Sequence, residues 1–369
     1  MKSKKPFDFW IFMTVIILLA LGTIMVFSAS APSAYNYEND AYYFLKKQLF
    51  VLPPGLFAMF FMMNFDYRKL GKLSPIILVT CIIFILLVPL PGVGMTINGA
   101  RRWINLRFTS FQPSEFAKLA VILFFSYSLS KRKDQLQSFF KGLLPYLFLI
   151  GVFAAMLLLL QKHLSGTLVI VMIACVILFS AGAKISHFVM LTVPAVCGVA
   201  VAIIIEPFRM QRLYAFLDPF KYKQDEGWQA INSLYAIGSG GLFGKGLGKS
   251  MQKYLYLPEP HNDFILSVLA EELGFIGVVV VLTLFLIFIW RGIKVSINAP
   301  DVFGSLTAIG ITSLIAVQVI INVAVVTSSM PTTGMPLPFF SYGGTNLLFF
   351  MCEVGILLNI SRYANYERI

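Results

Sequence analysis

Charge is what this chain lacks most. Of its 369 residues, 12% are Asp, Glu, Lys or Arg and 58% are hydrophobic. A soluble globular domain is about one quarter charged, so a water-soluble fold is excluded. Cysteine and histidine are scarce as well. Cys81, Cys175, Cys197 and Cys352 all lie inside apolar runs, with neither metal-ligand spacing nor a disulfide framework. They read as small apolar filler. His163, His187 and His261 are too isolated to make a metal site by spacing. Periodic repeats, low-complexity tracts and a polar segment long enough for a separate soluble domain are all missing.

What the chain has is apolar length. Runs of about 20 apolar residues, enough to cross a bilayer, recur at roughly 8–29, 48–65, 73–90, 114–130, 142–160, 164–182, 185–206, 263–290, 302–327 and 342–361. The expected fold is all-α: one polytopic membrane domain over 1–369, with about ten transmembrane helices and one long loop at about 207–262. The start resembles a signal peptide. Its apolar core is too long, however, and Pro32 follows the small-residue cleavage candidate, so it is expected to remain as the first span.

Lys and Arg in short loops set orientation. Lys2, Lys4, Lys5, Arg68, Lys69, Lys72, Lys131, Arg132, Lys133, Lys141, Arg291 and Lys294 fall on one side of a ten-span chain. That side is expected to be cytoplasmic, with both termini there. The opposite side should then be poor in cations, yet it holds Arg101, Arg102, Arg107, Arg209, Arg212, Lys221, Lys223, Lys245, Lys249 and Lys253. Cations kept on the outer face point to an anionic partner. Nucleic acid is a poor fit, because the basic residues are split across the bilayer.

Three loops stand out. PGVGMTINGARRWINLRFTSFQPSEFAKL reads as glycine and proline turns with Trp103 as an interfacial anchor, entering span 4 with Ser114 as N-cap. Segment 207–262 is too aromatic and apolar for disorder, and short interfacial helices joined by glycine turns are expected. SSMPTTGMPLPFFSYGG is rich in proline and glycine and uncharged. Irregular backbone at membrane depth must be covered by protein or face a wet cavity, so this loop is expected to line a site.

Ionisable groups inside spans are costly unless paired or hydrated. Glu115 and Lys118 are three residues apart on one helix face. They are either a self-neutralising pair or a cavity floor with Lys118 free for an anion. LPEPHNDFILSVLAEELGFIG, residues 257–277, carries Glu259, Asp263, Glu271 and Glu272. Asp263 could simply start the helix, with Asn262 as cap. Ser267, Ala270 and Gly274 continue its stripe, which lets helices approach or leaves room for a ligand. Glu271 lies about 80° from that stripe, whereas Glu272 points the opposite way and is expected to pair elsewhere. GSGGLFGKGLGKS looks like a phosphate loop, but Phe243 stands where the first glycine belongs, so a nucleotide site is rejected. Its glycine amides with Lys245 and Lys249 could still face headgroups or a pyrophosphate.

Six segments together carry a resemblance: NGARRWINL (98–106), QPSEFAKL (112–119), HLSGT (163–167), WQAINSLYAIGSGGLFGKGLG (228–248), LPEPHNDFILSVLAEELGFIG (257–277) and PTTGMPLPFFSYGG (331–344). In this order they resemble the SEDS family of bacterial cell-wall proteins, named for shape, elongation, division and sporulation. HLSG looks more like the FtsW and SpoVE branch than the RodA branch. Lys162 and Asn346 depart from that branch's usual Pro and Ser.

The resemblance implies a ten-span glycosyltransferase in the bacterial cytoplasmic membrane. Such proteins polymerise lipid II, a disaccharide-pentapeptide on undecaprenyl pyrophosphate, into peptidoglycan at the outer face during division, elongation or sporulation. They work among membrane lipids with a class B penicillin-binding protein. The family's essential aspartate matches Asp263, and its span-4 acid and lysine match Glu115 and Lys118. Asp263 is the expected catalytic residue, with Arg102, Glu115, Lys118, His163, Lys245, Glu259, His261 and Ser267 expected to bind substrate. Asp263 and Glu259 are candidate ligands for a divalent cation, Mg²⁺ or Mn²⁺; no nucleotide or haem is expected. Two alternatives stand beside this reading. A lipid II flippase would need polar residues on a path to both faces, and a non-catalytic scaffold would not need Asp263.

Overall fold

A computed structural model describes residues 5–97, 99–105, 110–132, 136–222 and 227–366. Lys2, Lys4, Arg107, Lys133 and Lys223 of the charge pattern lie outside the described residues. The helices are α1 (Phe9–Glu38), α2 (Tyr43–Asn64), α3 (Tyr67–Leu87), α4 (Pro113–Lys131), α5 (Leu144–Ala155), α6 (Leu164–Ser180), α7 (Ile185–Ile205), α8 (Pro207–Leu217), α9 (Gly227–Gly240), α10 (Ile265–Asn298), α11 (Val302–Val326) and α12 (Gly344–Ser361). Single π-helical turns extend α5 at both ends, over Phe139–Leu143 and Met156–Leu160. Eight of these helical runs are long and apolar enough to cross a membrane. Charged α4 and the shorter α6 are the helices of the other two of the about ten runs expected to span, and α8 and α9 are the short helices of the 207–262 segment.

Proline does not stop these helices. Pro32, Pro53, Pro54, Pro75 and Pro194 all lie inside one, as membrane bundles tolerate when neighbours re-satisfy the freed carbonyls. α1 accordingly runs nine residues past its expected end at 29. Asp8, Asp66 and Asp301 cap the starts of α1, α3 and α11, each accepting from backbone N–H groups of the first turn. The two described ends of the chain meet at one end of the bundle. Lys5 N donates to Arg362 O at 3.1 Å, and Arg291 Nη2 lies 2.5 Å from Asp8 Oδ2.

Helix α4 forms the centre and packs against α3, α6, α11 and α12. Helix α12 lies along α2, and α10 packs against α1, α9 and α11. Helix α7 stands apart: it buries no residue, and its main packing partner is α8.

Two local structures differ from expectation. The loop after α3 is a three-stranded antiparallel sheet, with β1 (Gly94–Ile97), β2 (Ala100–Asn105) and β3 (Ser110–Phe111) in the order β1-β2-β3. Pairs such as Met95–Trp103 and Ile104–Phe111 register it. Alternation along β2 sends successive side chains to opposite faces. Arg101 turns outward to Pro89 O, while Arg102 turns towards the bundle. Ser114 is not the cap of α4; Gln112 holds that position with Pro113 next, and Ser114 Oγ is buried with no partner among the described residues.

The second difference is a break inside α10. Gly274 adopts φ 68°, ψ −169°, a conformation only glycine takes easily. The break frees backbone groups on both sides, and the 241–246 turn collects them. Lys245 N and Gly246 N donate to Glu271 O and Glu272 O, both at 3.0 Å. Phe275 N and Ile276 N donate to Gly241 O and Leu242 O at 2.9 and 3.2 Å. A β carbon on Gly244 would come within 2.2 Å of Glu272 O. The phosphate-loop-like glycines therefore serve a helix break.

Candidate functional site

Helix α10 starts beside a cavity of about 1610 Å³ and ends at the cluster joining the termini, so the cavity lies at the opposite end of the bundle. Segment 257–263, strand β2, the starts of α4 and α6, helix α8 and loop 330–336 line it. Six of the nine expected site residues share its wall: Arg102, Glu115, His163, Glu259, His261 and Asp263.

Asp263 is half-buried and precedes α10, whose N-cap is Phe264 with no side-chain cap. The simple capping role is thus excluded for Asp263. Asn262 does not cap either; its Nδ2 donates to Glu259 Oε2 at 2.7 Å. The Asp263 carboxylate accepts no hydrogen bond among the described residues. Burial, then Glu259, push its pKa up to about 6, against the pull of Arg212 and Arg102. Gly334 has φ +68°, and a β carbon there would sit 3.4 Å from Asp263 Oδ2. The backbone beside Asp263 is bonded to the proline-rich loop: Tyr342 N donates to His261 O at 2.9 Å and Ser341 Oγ to Asn262 O at 2.6 Å.

Arg102 and Arg212 act on this carboxylate, and Arg209 lines the same cavity. Arg102 Nε and Nη2 donate to Gln161 O and Lys162 O at 3.2 and 2.9 Å. Arg212 Nη1 donates to Thr332 O at 3.0 Å, and Arg209 Nη1 to Ala202 O at 2.6 Å. Burial pulls the Arg102 pKa down to about 10; repulsion from Arg212 and Arg209 adds to this, and only Asp263 opposes it. Arg102 and Arg209 are held by neutral carbonyls, which leaves their charge uncancelled by them, and an anion entering here relieves the repulsion among the three arginines.

His261 lies against Phe44 with centroids 4.2 Å apart and the rings tilted by 39°, and Tyr342 packs edge-on to the Phe44 ring. Burial pulls the His261 pKa down to about 4. Its 3.7 Å approach to Glu259 Oε2 is therefore not an ion pair at neutral pH. His163 is buried at the start of α6. Burial, then Arg102 and Lys118, hold it well below the usual histidine range, and its Nδ1 has no partner among the described residues.

Three expectations need correction. Lys118 is not free for an anion: its Nζ lies 2.7 Å from both oxygens of Glu115, behind the cavity wall. Lys245 is 2.6 Å from Glu271 Oε1 and does not line the cavity. Ser267 is fully buried against Ser233 Oγ at 2.7 Å, and Gly240 abuts Ala270 O. The small-residue stripe is thus the seam where α9 meets α10, with no room for a ligand. Glu271 does not support Asp263; Ser250 Oγ and the Met251 and Gln252 amides hold it together with Lys245. Glu272 pairs with Lys253 Nζ at 2.7 Å and Ser28 Oγ at 2.7 Å, away from the cavity, as its direction on the helix implies.

Other groups carried weak sequence signals. Arg209 and Arg212 stood only within a general basic count, although their i, i+3 spacing puts them on one face of α8. Glu353 was hidden in the last apolar run. It is fully buried on α12, with Oε2 unpartnered among the described residues, within the electrostatic reach of Lys118 and Glu115.

For a divalent cation, the described residues hold no cluster of three His, Cys, Asp or Glu side chains. Asp263 and Glu259 do offer two carboxylates on one cavity wall. That suits Mg²⁺, which binds through one or two carboxylates and completes its shell with water and substrate phosphate.

Comparison with known proteins gives a consistent result. A family of cell cycle proteins comprising FtsW, RodA and SpoVE matches residues 9–366. Stage V sporulation protein E of Bacillus subtilis (strain 168) is 45% identical over 366 residues, covering 99% of each chain. A probable peptidoglycan glycosyltransferase FtsW of Geobacter sp. (strain M18) is 43% identical over 361 residues, covering 98% of each. Among solved structures, a chain of a peptidoglycan synthase complex superposes with TM-score 0.79 at 28% identity, over 97% of this chain and 99% of that one. The rod shape determining protein RodA of Thermus thermophilus superposes with TM-score 0.68 at 28% identity, over 96% and 97%.

Proposed function

The chain belongs to the FtsW, RodA and SpoVE family of cell cycle proteins, and from that premise we propose that it is a membrane peptidoglycan glycosyltransferase that polymerises lipid II. The observation that carries the site assignment is a carboxylate without a hydrogen-bond partner among the described residues, in one large cavity lined by three arginines, two of which act on it. In this reading the cavity opens on the outer face, and both termini lie in the cytoplasm with the Lys and Arg of the short loops.

Glycan extension requires a sugar hydroxyl to attack an anomeric carbon as pyrophosphate leaves. Asp263 takes the hydroxyl proton on its carboxylate. The freed oxygen forms the glycosidic bond, and the bond from the anomeric carbon to pyrophosphate oxygen breaks with its electron pair on pyrophosphate. A pKa of about 6 leaves Asp263 ionised at neutral pH and close enough to the operating pH for efficient transfer. Arg102, Arg209 and Arg212 stabilise the charge that grows on the leaving group. Single displacement inverts the anomeric centre. Asp263 and Glu259 would hold a divalent cation, Mg²⁺ or Mn²⁺, which when bound supplies further charge stabilisation at the pyrophosphate. A class B penicillin-binding protein is the partner that would crosslink the product strands.

The test is polymerisation of lipid II by the full-length chain, reconstituted with a class B penicillin-binding protein. Asp263→Ala should yield no glycan strands; a wild-type yield from that variant would refute the assignment. Translocation of labelled lipid II without polymer would favour a flippase instead.

A further inference from the structure

We propose that Asn322 is a positioning residue that fixes where Asp263 sits in the cavity, an inference that rests on the reading of Asp263 as the base. Asn322 is buried near the end of α11 and does not line the cavity. Its Nδ2 donates to Asp263 O and to Met335 O, each at 2.9 Å. A carboxamide has two N–H donors, and both are used. The flipped amide would set Oδ1 against two carbonyl oxygens, so the surroundings fix its orientation. Oδ1 itself is buried with no partner among the described residues. Among the described residues one acceptor is thus left unpaired while both donors stay in this bridge.

The bridge matters because of how Asp263 is held. Its side chain accepts no hydrogen bond among the described residues, and the nearby arginines draw it towards themselves. Its position is therefore set through its backbone. Three successive carbonyls are fixed: His261 O by Tyr342 N, Asn262 O by Ser341 Oγ and Asp263 O by Asn322 Nδ2. The first two bonds come from the proline-rich loop. Asn322 ties that loop, through Met335, and Asp263 to a membrane helix. Gly334, whose absent β carbon leaves room for the carboxylate, directly precedes Met335. Asn322 therefore sets the spacing between the carboxylate and the loop that packs on it. Aspartate at 322 keeps the shape but loses the donors, and leucine keeps the bulk but loses all polarity.

The experiment measures kcat and KM for lipid II polymerisation by the full-length chain carrying Asn322→Leu, Asn322→Asp, Asp263→Ala or Ser233→Ala. Ser233 donates to Val326 O at 2.6 Å, one turn further along α11, and reports a generic loss of packing there. Both Asn322 variants should lose about 100-fold in kcat, the scale of an about 1 Å misplacement. KM should stay within about threefold, and the melting temperature should match that of Ser233→Ala. Should Asn322→Leu fail to fold, Asn322→Asp decides. Wild-type kcat in the Asn322 variants, with Asp263→Ala inactive, overturns the positioning role and leaves the base assignment standing. A loss that lies in KM, or that Ser233→Ala shares, also overturns it. Full activity of Asp263→Ala overturns the base assignment itself.

Discussion

Asp263 and the Glu271–Glu272 pair lie within ten residues of one another, yet their electrostatic surroundings are opposite. Both glutamates are fully buried and saturated. Each has a lysine within 2.7 Å, and hydroxyl and backbone donors take up further lone pairs. Asp263 is partly exposed, has no hydrogen-bond donor among the described residues and feels cations only at a distance. Satisfied acids hold the fold together. An unsatisfied acid in a polar cavity is available for chemistry. Proximity along the chain says nothing about which is which; the partners decide.

The sharpest way to break this contrast is to neutralise each kind of acid in turn. Asp263→Asn should cut polymerisation by about 10²–10⁴-fold, the usual worth of a general base, while its melting temperature at neutral pH should not fall and should tend to rise, because the amide is spared the burial cost that raises the Asp263 pKa. Glu272→Ala should do the reverse. It strands buried Lys253 without its counter-ion, so unfolding measurements should give a loss of about 3–5 kcal/mol, with kcat per folded molecule preserved. An inactive but stable Glu272→Ala would erase the distinction.

Smaller effects sharpen it. Arg212→Leu removes a cation that lowers the Asp263 pKa. The base must be ionised, so wild-type activity should rise through a pKa of about 6 and level off above it. In the variant the rising limb should move to higher pH, and a pH–rate profile measures that shift. Gly334→Ala places a methyl group against Asp263 Oδ2 at φ +68°. It should destabilise by about 1 kcal/mol or slightly more and lower kcat, with calorimetry and steady-state assays reading the two parts. Lys245→Met should give the smallest response. Lys245 is partly exposed, and Ser250 Oγ and the Met251 and Gln252 amides still hold Glu271 when it is removed, so the stability loss should be smaller than in Glu272→Ala; Lys245 does not line the cavity, so KM for lipid II should not change.

Much of this was legible in the sequence because the bilayer imposes a strong rule. Apolar length alone located the eight helices long and apolar enough to cross a membrane, and the runs of α4 and α6 besides, and irregular, uncharged backbone at membrane depth marked loop 327–343 as a cavity wall. Asp263 was legible because an acid at a helix mouth needs an explanation. The failures share one cause. Helical spacing gives the direction of a side chain but not its partner. Ser267 and Lys245 were placed correctly on their elements and assigned the wrong neighbours, because α9 and the 241–253 turn claim them. The β-sheet escaped notice because its strands are too short for alternation to show against a glycine-rich background. Glu353 was concealed by the apolar residues around it, and its position against Lys118 emerges only when α12 packs on α4.

The break at Gly274 also bears on bilayer thickness. From Phe275 to Asn298, α10 runs for about 24 residues, or about 36 Å at the helical rise, longer than a hydrocarbon core of about 30 Å. The piece after the break can span the membrane unaided and can tilt to match thinner lipid. The piece before it need not follow, because backbone bonds to the 241–246 turn hold its end, and Tyr342 N and Ser341 Oγ in the loop before α12 hold His261 O and Asn262 O just ahead of its start. Asp263 is thereby uncoupled from lipid thickness: the membrane sets the slope of the long shaft, and the protein alone sets the depth of the acid.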